Sequence, residues 1–381
     1  MFCYIPSRVN TTRDAIKMNI LKNYGKVFKF CKLKSLMVAG AYILTLSMPL
    51  TFSATTAADP PSLTNNQVVY YSSSSTNKGL YKSNVDGTNS VAILSSSDLS
   101  NANIGSASLP LRSIQISPDR SKVYFMAAPS STSTYVWYSV NIDGTNLTSL
   151  PNLALGARFS PDFTKIVTNG PSYYDTINHK TNSSIKILNA DGSNPITISP
   201  PMGKSGQIQN FVWVDRDTVA FRYISDVSDA SGCNVGIARI NIDGTDFTKV
   251  TPDQSVSSVN DCDSYLKASI NPLDGSYALE VSERVLFVNG TQGSRYSIWR
   301  MNADGTGLQR LADAPTSSYS TGYTDTPSWS PSGQKIGYKY LDLADGSQGC
   351  RIAQIDVATG VVSQSGIVGC FSEFQWESLG P

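Results

Sequence analysis

The sequence predicts an all-β fold: a six-bladed β-propeller of four-stranded antiparallel blades, closed by N- and C-terminal strands that share one blade. Three observations predict it. One turn motif recurs along the chain, a second turn motif alternates with it, and each chain end carries an incomplete blade. The composition agrees, because Ser, Thr, Asn, Gly and Tyr are abundant, as expected of short strands joined by turns.

The first motif is an Asp-Gly turn that returns about every 50 to 60 residues, the spacing of a repeat architecture. Asp-Gly between two alternating apolar runs indicates a β-hairpin, because Gly accepts the positive φ of the turn. The motif therefore predicts a hairpin at each copy: Leu80–Thr88, Tyr138–Thr145, Ile187–Ser193, Arg239–Thr245, Arg300–Thr306 and a degenerate copy at Gln354–Gly360.

The second motif is a Ser-Pro turn, seen most clearly at Ser117-Pro118-Asp119 and Ser160-Pro161-Asp162. Proline presets φ at the first turn position, and Asp or Gly completes the turn. Two hairpins per repeat give four strands, which make one propeller blade. A column of apolar residues precedes these turns and is predicted to pack between neighbouring blades: Ile116, Phe159, Trp213, Ile270, Trp329 and Trp376.

The chain ends indicate how the ring closes. Phe374-Gln375-Trp376 matches the start of a blade, but no second strand follows it. Conversely, Gln67–Tyr71 is typical of a second strand without a first. The two segments together complete a sixth blade, and closing the ring protects the strand edges.

Residues 1–58 have the order of a secretory signal: lysines, an apolar run over Leu36–Phe52, and a small-residue stretch before Asp59. We therefore expect an export segment at 1–58 and a propeller at 59–381. The apolar run is shorter than a usual membrane span, which favours cleavage and a periplasmic or secreted protein. The alternative is an uncleaved anchor, which would be the one membrane contact.

Four cysteines follow the export segment: Cys233, Cys262, Cys350 and Cys370. An even number in an exported chain predicts two disulfides, and three pairings are open. Pairing Cys233 with Cys262 and Cys350 with Cys370 would staple two blades in the same way. The spacing does not fit a zinc site.

The repeat built from Trp329-Ser-Pro-Ser-Gly333 and Asn302-Ala-Asp-Gly-Thr306 resembles that of TolB-type, WD40-like propellers, and the Asn-x-Asp-Gly-Thr element is similar to YWTD propellers. The resemblance covers about residues 66–381 and implies architecture, because the matched residues form turns and packing contacts. TolB proteins also carry an N-terminal α/β domain before the propeller. We expect no such domain here, and therefore do not expect membership of the Tol–Pal system on this resemblance.

The net charge of +1 favours neither nucleic acid nor anionic lipid as a partner. The sequence lacks the common nucleophile, zinc-protease, P-loop and dinucleotide motifs. We therefore expect a monomeric, non-catalytic scaffold for a protein or peptide partner. A carbohydrate-active enzyme that uses loop carboxylates, and a secreted or surface adhesin or effector, are the alternatives.

Both turn motifs are predicted on one face of the ring, so the long connections form the opposite face, where binding residues tend to lie. Partner-binding candidates in these connections are Tyr173, Tyr174, His179, Tyr265, Tyr319 and Tyr323. No cofactor is expected. A calcium site of loop aspartates is the alternative there, although Asn-x-Asp-Gly lacks EF-hand spacing.

Overall fold

The computed structural model describes residues 67–73, 77–104, 111–132, 134–175, 180–201, 206–225, 235–252, 254, 262–286, 290, 292–313, 324–341, 350–368 and 371–376. The chain divides into two units, Met1–Ala58 and Asp59–Pro381, and all of these residues belong to the second. The predicted export segment lies outside the described residues. Within them, no helix is long and apolar enough to cross a membrane.

Strands dominate the described residues. In chain order they are β1 (Gln67–Ser72), β2 (Gly79–Asn84), β3 (Val91–Leu94), β4 (Arg112–Ile116), β5 (Lys122–Ala127), β6 (Val136–Asn141), β7 (Thr148–Leu150), β8 (Arg158–Phe159), β9 (Lys165–Asn169), β10 (Tyr173–Asp175), β11 (Lys180–Asn182), β12 (Ile185–Asn189), β13 (Ile196–Ile198), β14 (Gly206–Trp213), β15 (Thr218–Ser225), β16 (Val235–Asn241), β17 (Thr248–Lys249), β18 (Ser264–Ile270), β19 (Tyr277–Leu286), β20 (Gln292–Met301), β21 (Gln309–Asp313), β22 (Thr324–Trp329), β23 (Lys335–Leu341), β24 (Cys350–Asp356), β25 (Val362–Val368) and β26 (Phe371–Trp376).

These strands form six antiparallel blades, which confirms the predicted fold class. Blades 1 to 5 have the strand orders β4-β5-β6-β7, β8-β9-β12-β13, β14-β15-β16-β17, β18-β19-β20-β21 and β22-β23-β24-β25. A short helix, α1 (Ser96–Asn101), precedes blade 1, and a capping box between Ser95 and Asp98 begins it.

Blade 6 has the order β26-β1-β2-β3, so strands from both chain ends complete it. Strand β26 runs antiparallel to β1, with Val68 opposite Trp376 and Tyr70 opposite Phe374. The predicted ring closure is therefore confirmed, and it joins the two ends of the described propeller in one sheet.

The first strand of each blade lies nearest the ring axis. Strands β4, β8, β14, β18, β22 and β26 contact one another in this order, and β26 contacts β4 again. Only strands at the centre of the ring can form such a closed series, so they surround the axial channel.

Both predicted turn motifs join the predicted strands. In blade 1, Asp143 Oδ1 accepts the Thr145 N–H at 2.9 Å, and Asn141 Nδ2 donates to Thr145 Oγ1 at 2.9 Å. The Ser-Pro turn uses Ser160 Oγ, which accepts the Lys165 N–H at 3.0 Å. The first motif joins third to fourth strands and the second joins first to second strands. Both therefore lie on one side, the tight-turn face, opposite the loop-rich face.

The apolar column packs between blades as predicted, where its side chains are described. The Phe159 ring lies 5.0 Å from that of Tyr124 in blade 1, and Trp213 Nε1 donates to the Arg158 carbonyl of blade 2 at 2.9 Å. Trp329 is buried beside Ala278 of blade 4. These contacts seal adjacent blades near the tight-turn face.

Candidate binding face

The most distinctive feature of the loop-rich face is the hairpin of β10 and β11. It belongs to the connection between the second and third strands of blade 2 but joins the sheet of blade 3. Asn182 pairs in parallel with Gly206, and the Ser183 N–H donates to the Gly206 carbonyl at 2.9 Å. Blade 3 thereby becomes a six-stranded sheet with the order β10-β11-β14-β15-β16-β17.

A narrow neck fixes where this hairpin leaves blade 2. The Gly170 N–H donates to the Ser184 carbonyl at 2.8 Å, and Ser184 Oγ donates to the Pro171 carbonyl at 2.7 Å. A Cβ atom at position 170 would lie 2.4 Å from Ser184 Oγ, so glycine at this position allows the two segments of the neck to lie close together. The hairpin is thus held at both its base and its pairing with β14.

The position of the hairpin places a strand edge at the channel mouth. Because β14 surrounds the axis, the two strands added to its free side lie still closer to the axis. Among the described strands, β10 has one hydrogen-bonded neighbour, β11, with Tyr174 opposite Thr181. The other edge of β10 presents backbone donors and acceptors of the kind that pair with an added strand.

In three blades, the inner strand or the residues just before it also contain a residue with positive φ, which the sequence did not predict. Ser113, Gly156 and Asn210 precede the apolar column by the same distance in blades 1, 2 and 3, and their φ angles are 56°, 73° and 52°. In β4 and β14 this conformation accompanies a break in register with the second strand. Such bulges redirect side chains, and Asn210 Nδ2 consequently donates to the Leu266 carbonyl of blade 4 at 2.7 Å.

Arg222 lies between the inner strands of blades 3 and 4. Its Nε donates to the Tyr265 carbonyl at 2.8 Å, and its Nη1 donates to Gln209 Oε1 at 2.6 Å. The side chain is half-buried, and burial lowers the pKa of its guanidinium. Gln209 and Asn210 beside it are exposed.

A second polar group lies at the loop-rich end of blade 4. Glu283 Oε2 accepts from Arg295 Nε at 2.9 Å, Ser297 Oγ at 3.0 Å and Arg310 Nη1 at 3.4 Å. Glu283 is 8% exposed. Trp299 Nε1 donates in turn to Ser297 Oγ at 2.8 Å.

Asp263 adjoins this group in a different environment. Its Oδ1 accepts the Arg284 N–H at 3.2 Å, and its backbone N–H and carbonyl both bond the Gln254 side-chain amide, at 2.7 and 2.9 Å. Burial raises the pKa of Asp263, and the negative charge of Glu283 raises it further. One acid of the pair therefore favours its neutral form more than an ordinary aspartate does.

The structure places the sequence-predicted site residues as follows. Tyr173 and Tyr174 are the first two residues of β10, at the channel mouth. Tyr265 is 3% exposed and packs in the core between blades 3 and 4, where its carbonyl binds Arg222. His179, Tyr319 and Tyr323 lie outside the described residues.

Of the cysteines, Cys262 is disulfide-bonded and Cys350 begins β24, whereas Cys233 and Cys370 lie outside the described residues. The two predicted pairings stay predictions. Across the described residues, no three His, Cys, Asp or Glu side chains are grouped so that they could hold a metal ion.

By its fold and its candidate site, the protein is a six-bladed propeller with an inserted hairpin at the mouth of its channel. No protein-family model and no curated protein match the sequence. Among solved structures, the chain is similar to a TolB candidate from Agrobacterium tumefaciens, at 15% identity and a TM-score of 0.46, over 78% of this chain and 87% of that one.

Two further similar structures are enzymes. One is an oligogalacturonate lyase from Vibrio parahaemolyticus, at 11% identity and a TM-score of 0.41, over 81% of this chain and 74% of that one. The other is a post-proline cleaving enzyme from Rickettsia typhi, at 9% identity and a TM-score of 0.47, over 80% of this chain and 52% of that one. At these identities the likeness concerns the fold alone. The six-bladed arrangement of the strands is the architecture that the TolB-type resemblance implied.

Proposed function

We propose that the chain is an exported, non-catalytic propeller scaffold that binds a protein or peptide partner in the periplasm or outside the cell. The partner engages the loop-rich face and the mouth of the channel. The observation that carries this proposal is that β10, beside the ring axis, has a hydrogen-bonded neighbour on only one of its edges among the described strands.

The physical basis is strand addition. An extended peptide can pair with a sheet edge through main-chain hydrogen bonds, while pockets for alternate side chains give specificity. The hairpin already shows this chemistry within the chain, because β11 adds to the free edge of β14. A partner peptide on β10 would extend the blade 3 sheet by one more strand.

Selection of random decapeptides on the chain, followed by affinity measurement, tests this proposal. Along an edge strand, successive residues direct their backbone groups to alternate sides. Either Tyr173 or Tyr174 therefore directs its N–H away from β11, and proline at that position removes a donor that the peptide needs. We expect one of Tyr173→Pro and Tyr174→Pro to lose peptide binding while its circular dichroism spectrum is retained.

Two results would overturn the proposal: the absence of any selected peptide, or selected peptides that bind both proline variants with the affinity of the wild type. The N-terminal residue of the exported protein, determined by mass spectrometry, tests export separately. Fractionation of the producing cell then distinguishes a periplasmic scaffold from a surface adhesin or secreted effector.

A carbohydrate-active enzyme is the second candidate, and the Asp263 and Glu283 pair favours it. Two carboxyl groups in different environments, Asp263 with a raised pKa and Glu283 hydrogen-bonded to two arginines, can divide acid and base roles. Turnover on a glycan panel that is lost in both Asp263→Asn and Glu283→Gln would support this function. Turnover that survives both substitutions would exclude the pair as its catalytic residues.

A further inference from the structure

Arg222 has no counter-ion in the described part of the chain. Its hydrogen bonds go to a backbone carbonyl and to an amide oxygen, both neutral groups. The arginines of blade 4 at the same face are compensated instead: Arg295 lies 2.9 Å from Glu283, and Arg310 lies 3.4 Å from it. A partly desolvated cation without an anion is unfavourable, because burial weakens its hydration and two neutral acceptors replace only part of it.

The unused donors of Arg222 are accessible. A guanidinium has five N–H groups, and two of them are engaged here. The Arg222 side chain is only half-buried, so part of it faces solvent. Gln209, to which it is hydrogen-bonded, and the adjacent Asn210 are exposed on the inner strand β14.

We propose that Arg222, together with Gln209, is a carboxylate-binding site between the inner strands of blades 3 and 4 that recognises an acidic side chain or the C-terminal carboxylate of the partner peptide. This inference rests on the proposed function, which it extends by naming the chemistry that the partner must carry. The site and the β10 edge belong to the same six-stranded sheet, in which β11 and β14 lie between β10 and the strand that carries Arg222.

The charge of the site favours a carboxylate over a phosphate. The planar guanidinium matches both anions. However, a phosphate carries about −1.5 to −2 charges at neutral pH. One uncompensated cation with neutral amides balances a single negative charge, so a carboxylate leaves no excess charge in the partly buried cleft.

Peptide variants and Arg222 variants together test the site. Each selected decapeptide is measured with its acidic residues replaced by their amides, and separately with an amidated C-terminus, which distinguishes the two sources of the carboxylate. We expect one of these changes to weaken binding by about 10- to 100-fold, the loss for a charge-assisted hydrogen-bonded pair. We expect Arg222→Gln to weaken binding of the unmodified peptide to the same extent and to abolish the effect of the peptide change.

Arg222→Lys keeps the positive charge but loses the planar guanidinium that can donate two parallel hydrogen bonds to a carboxylate. This variant should therefore retain part of the affinity. The matched control is Arg216→Gln, because the Arg216 side chain is 75% exposed and lies at the tight turn between β14 and β15; its affinity should equal that of the wild type. Peptide affinity that is unaffected by Arg222→Gln, or by loss of every carboxylate, would overturn the carboxylate site while leaving the scaffold function standing.

A second measurement keeps the test independent of any peptide. Sodium glutarate at about 100 mM should raise the melting temperature of the wild type above that in sodium chloride of equal ionic strength, because a ligand of the folded state stabilises it. The increase should be absent in Arg222→Gln and present in Arg216→Gln. An equal response of the wild type and Arg222→Gln would overturn the inference, whether or not peptides bind.

Discussion

The Asp-Gly turns offer a direct measure of how tightly the blades are joined. Gly305 and Gly192 occupy equivalent turn positions in blades 4 and 2, with φ angles of +87° and +85°. Their surroundings differ. A Cβ atom at 305 would lie 2.3 Å from the Val250 carbonyl oxygen of blade 3, whereas at 192 the nearest atom, the Asn152 carbonyl oxygen, is 3.9 Å away.

Substitution by alanine should therefore cost different amounts at the two sites. The left-handed conformation costs an L-residue about 1–2 kcal/mol, which applies to both Gly192→Ala and Gly305→Ala. At 305 the added methyl meets backbone of the neighbouring blade 3, which cannot move away as a flexible side chain would. Overpacking of this kind adds about 1–3 kcal/mol. We expect a loss of about 1–2 kcal/mol for Gly192→Ala and about 2–5 kcal/mol for Gly305→Ala.

Urea unfolding followed by tryptophan fluorescence measures both losses. Gly360→Ala is a further control, because its φ is +69° and nothing lies within 4 Å of the added Cβ. It should behave as Gly192→Ala does. Equal destabilisation at 305 and 192 would refute the view that the blade 4 turn is wedged against blade 3.

Three further predictions follow from the ring and from blade 4. Deleting residues 371–381 removes β26 and reopens the ring, so the melting temperature in calorimetry should fall by about 10 °C or more; an unchanged transition would contradict the closure. Gln115 Oε1 accepts the Phe159 N–H at 2.8 Å and its Nε2 donates to the Ala157 carbonyl at 3.2 Å, so Gln115→Ala should cost about 1–3 kcal/mol in urea unfolding. A loss of unfolding free energy below about 0.5 kcal/mol, which is usual at surface sites, would show that the Gln115 hydrogen bonds do not hold blades 1 and 2 together. Because the pKa of Asp263 is raised in the folded state, its stabilising effect is present below the ordinary value of 3.8 and is lost as the pH rises through the raised value. Asp263→Asn should thus be more stable than the wild type at pH 7 and not at pH 3. A variant that is less stable than the wild type at pH 7 would contradict the raised pKa of Asp263.

The blade pattern could be predicted because local chemistry determines it. Asp-Gly and Ser-Pro turns depend on a few adjacent residues, and the apolar residue before each Ser-Pro-type turn ends the first strand of its blade, as Trp213 ends β14. Ring closure followed from the two incomplete blades alone.

The hairpin could not be predicted in the same way. Residues 173–182 show no sustained alternation of apolar and polar side chains, and β11 pairs with a strand of another blade at a single position, Asn182 opposite Gly206. Its strand character comes from tertiary contact, which no local pattern encodes. The bulge at Ser113 was missed for a related reason, because serine at positive φ carries no sequence signal comparable to Asp-Gly.

Arg222 had a signal that sequence inspection could have used. It interrupts the apolar run of β15 between Phe221 and Tyr223, both buried, and charged residues are seldom buried without a partner. Its lack of a counter-ion among the described residues, however, depends on which strands lie beside it, and only the ring geometry gives that information.

The shared sixth blade also determines how the molecule can be attached to other things. Gln67 lies opposite Asn84, where an Asp-Gly turn begins, and Trp376 lies opposite Val68. The first and last described residues therefore emerge together on the tight-turn face. A tag, a fused domain or a sensor surface joined directly after Trp376 would sit on the far side of the ring from the hairpin, and would leave the channel mouth uncovered.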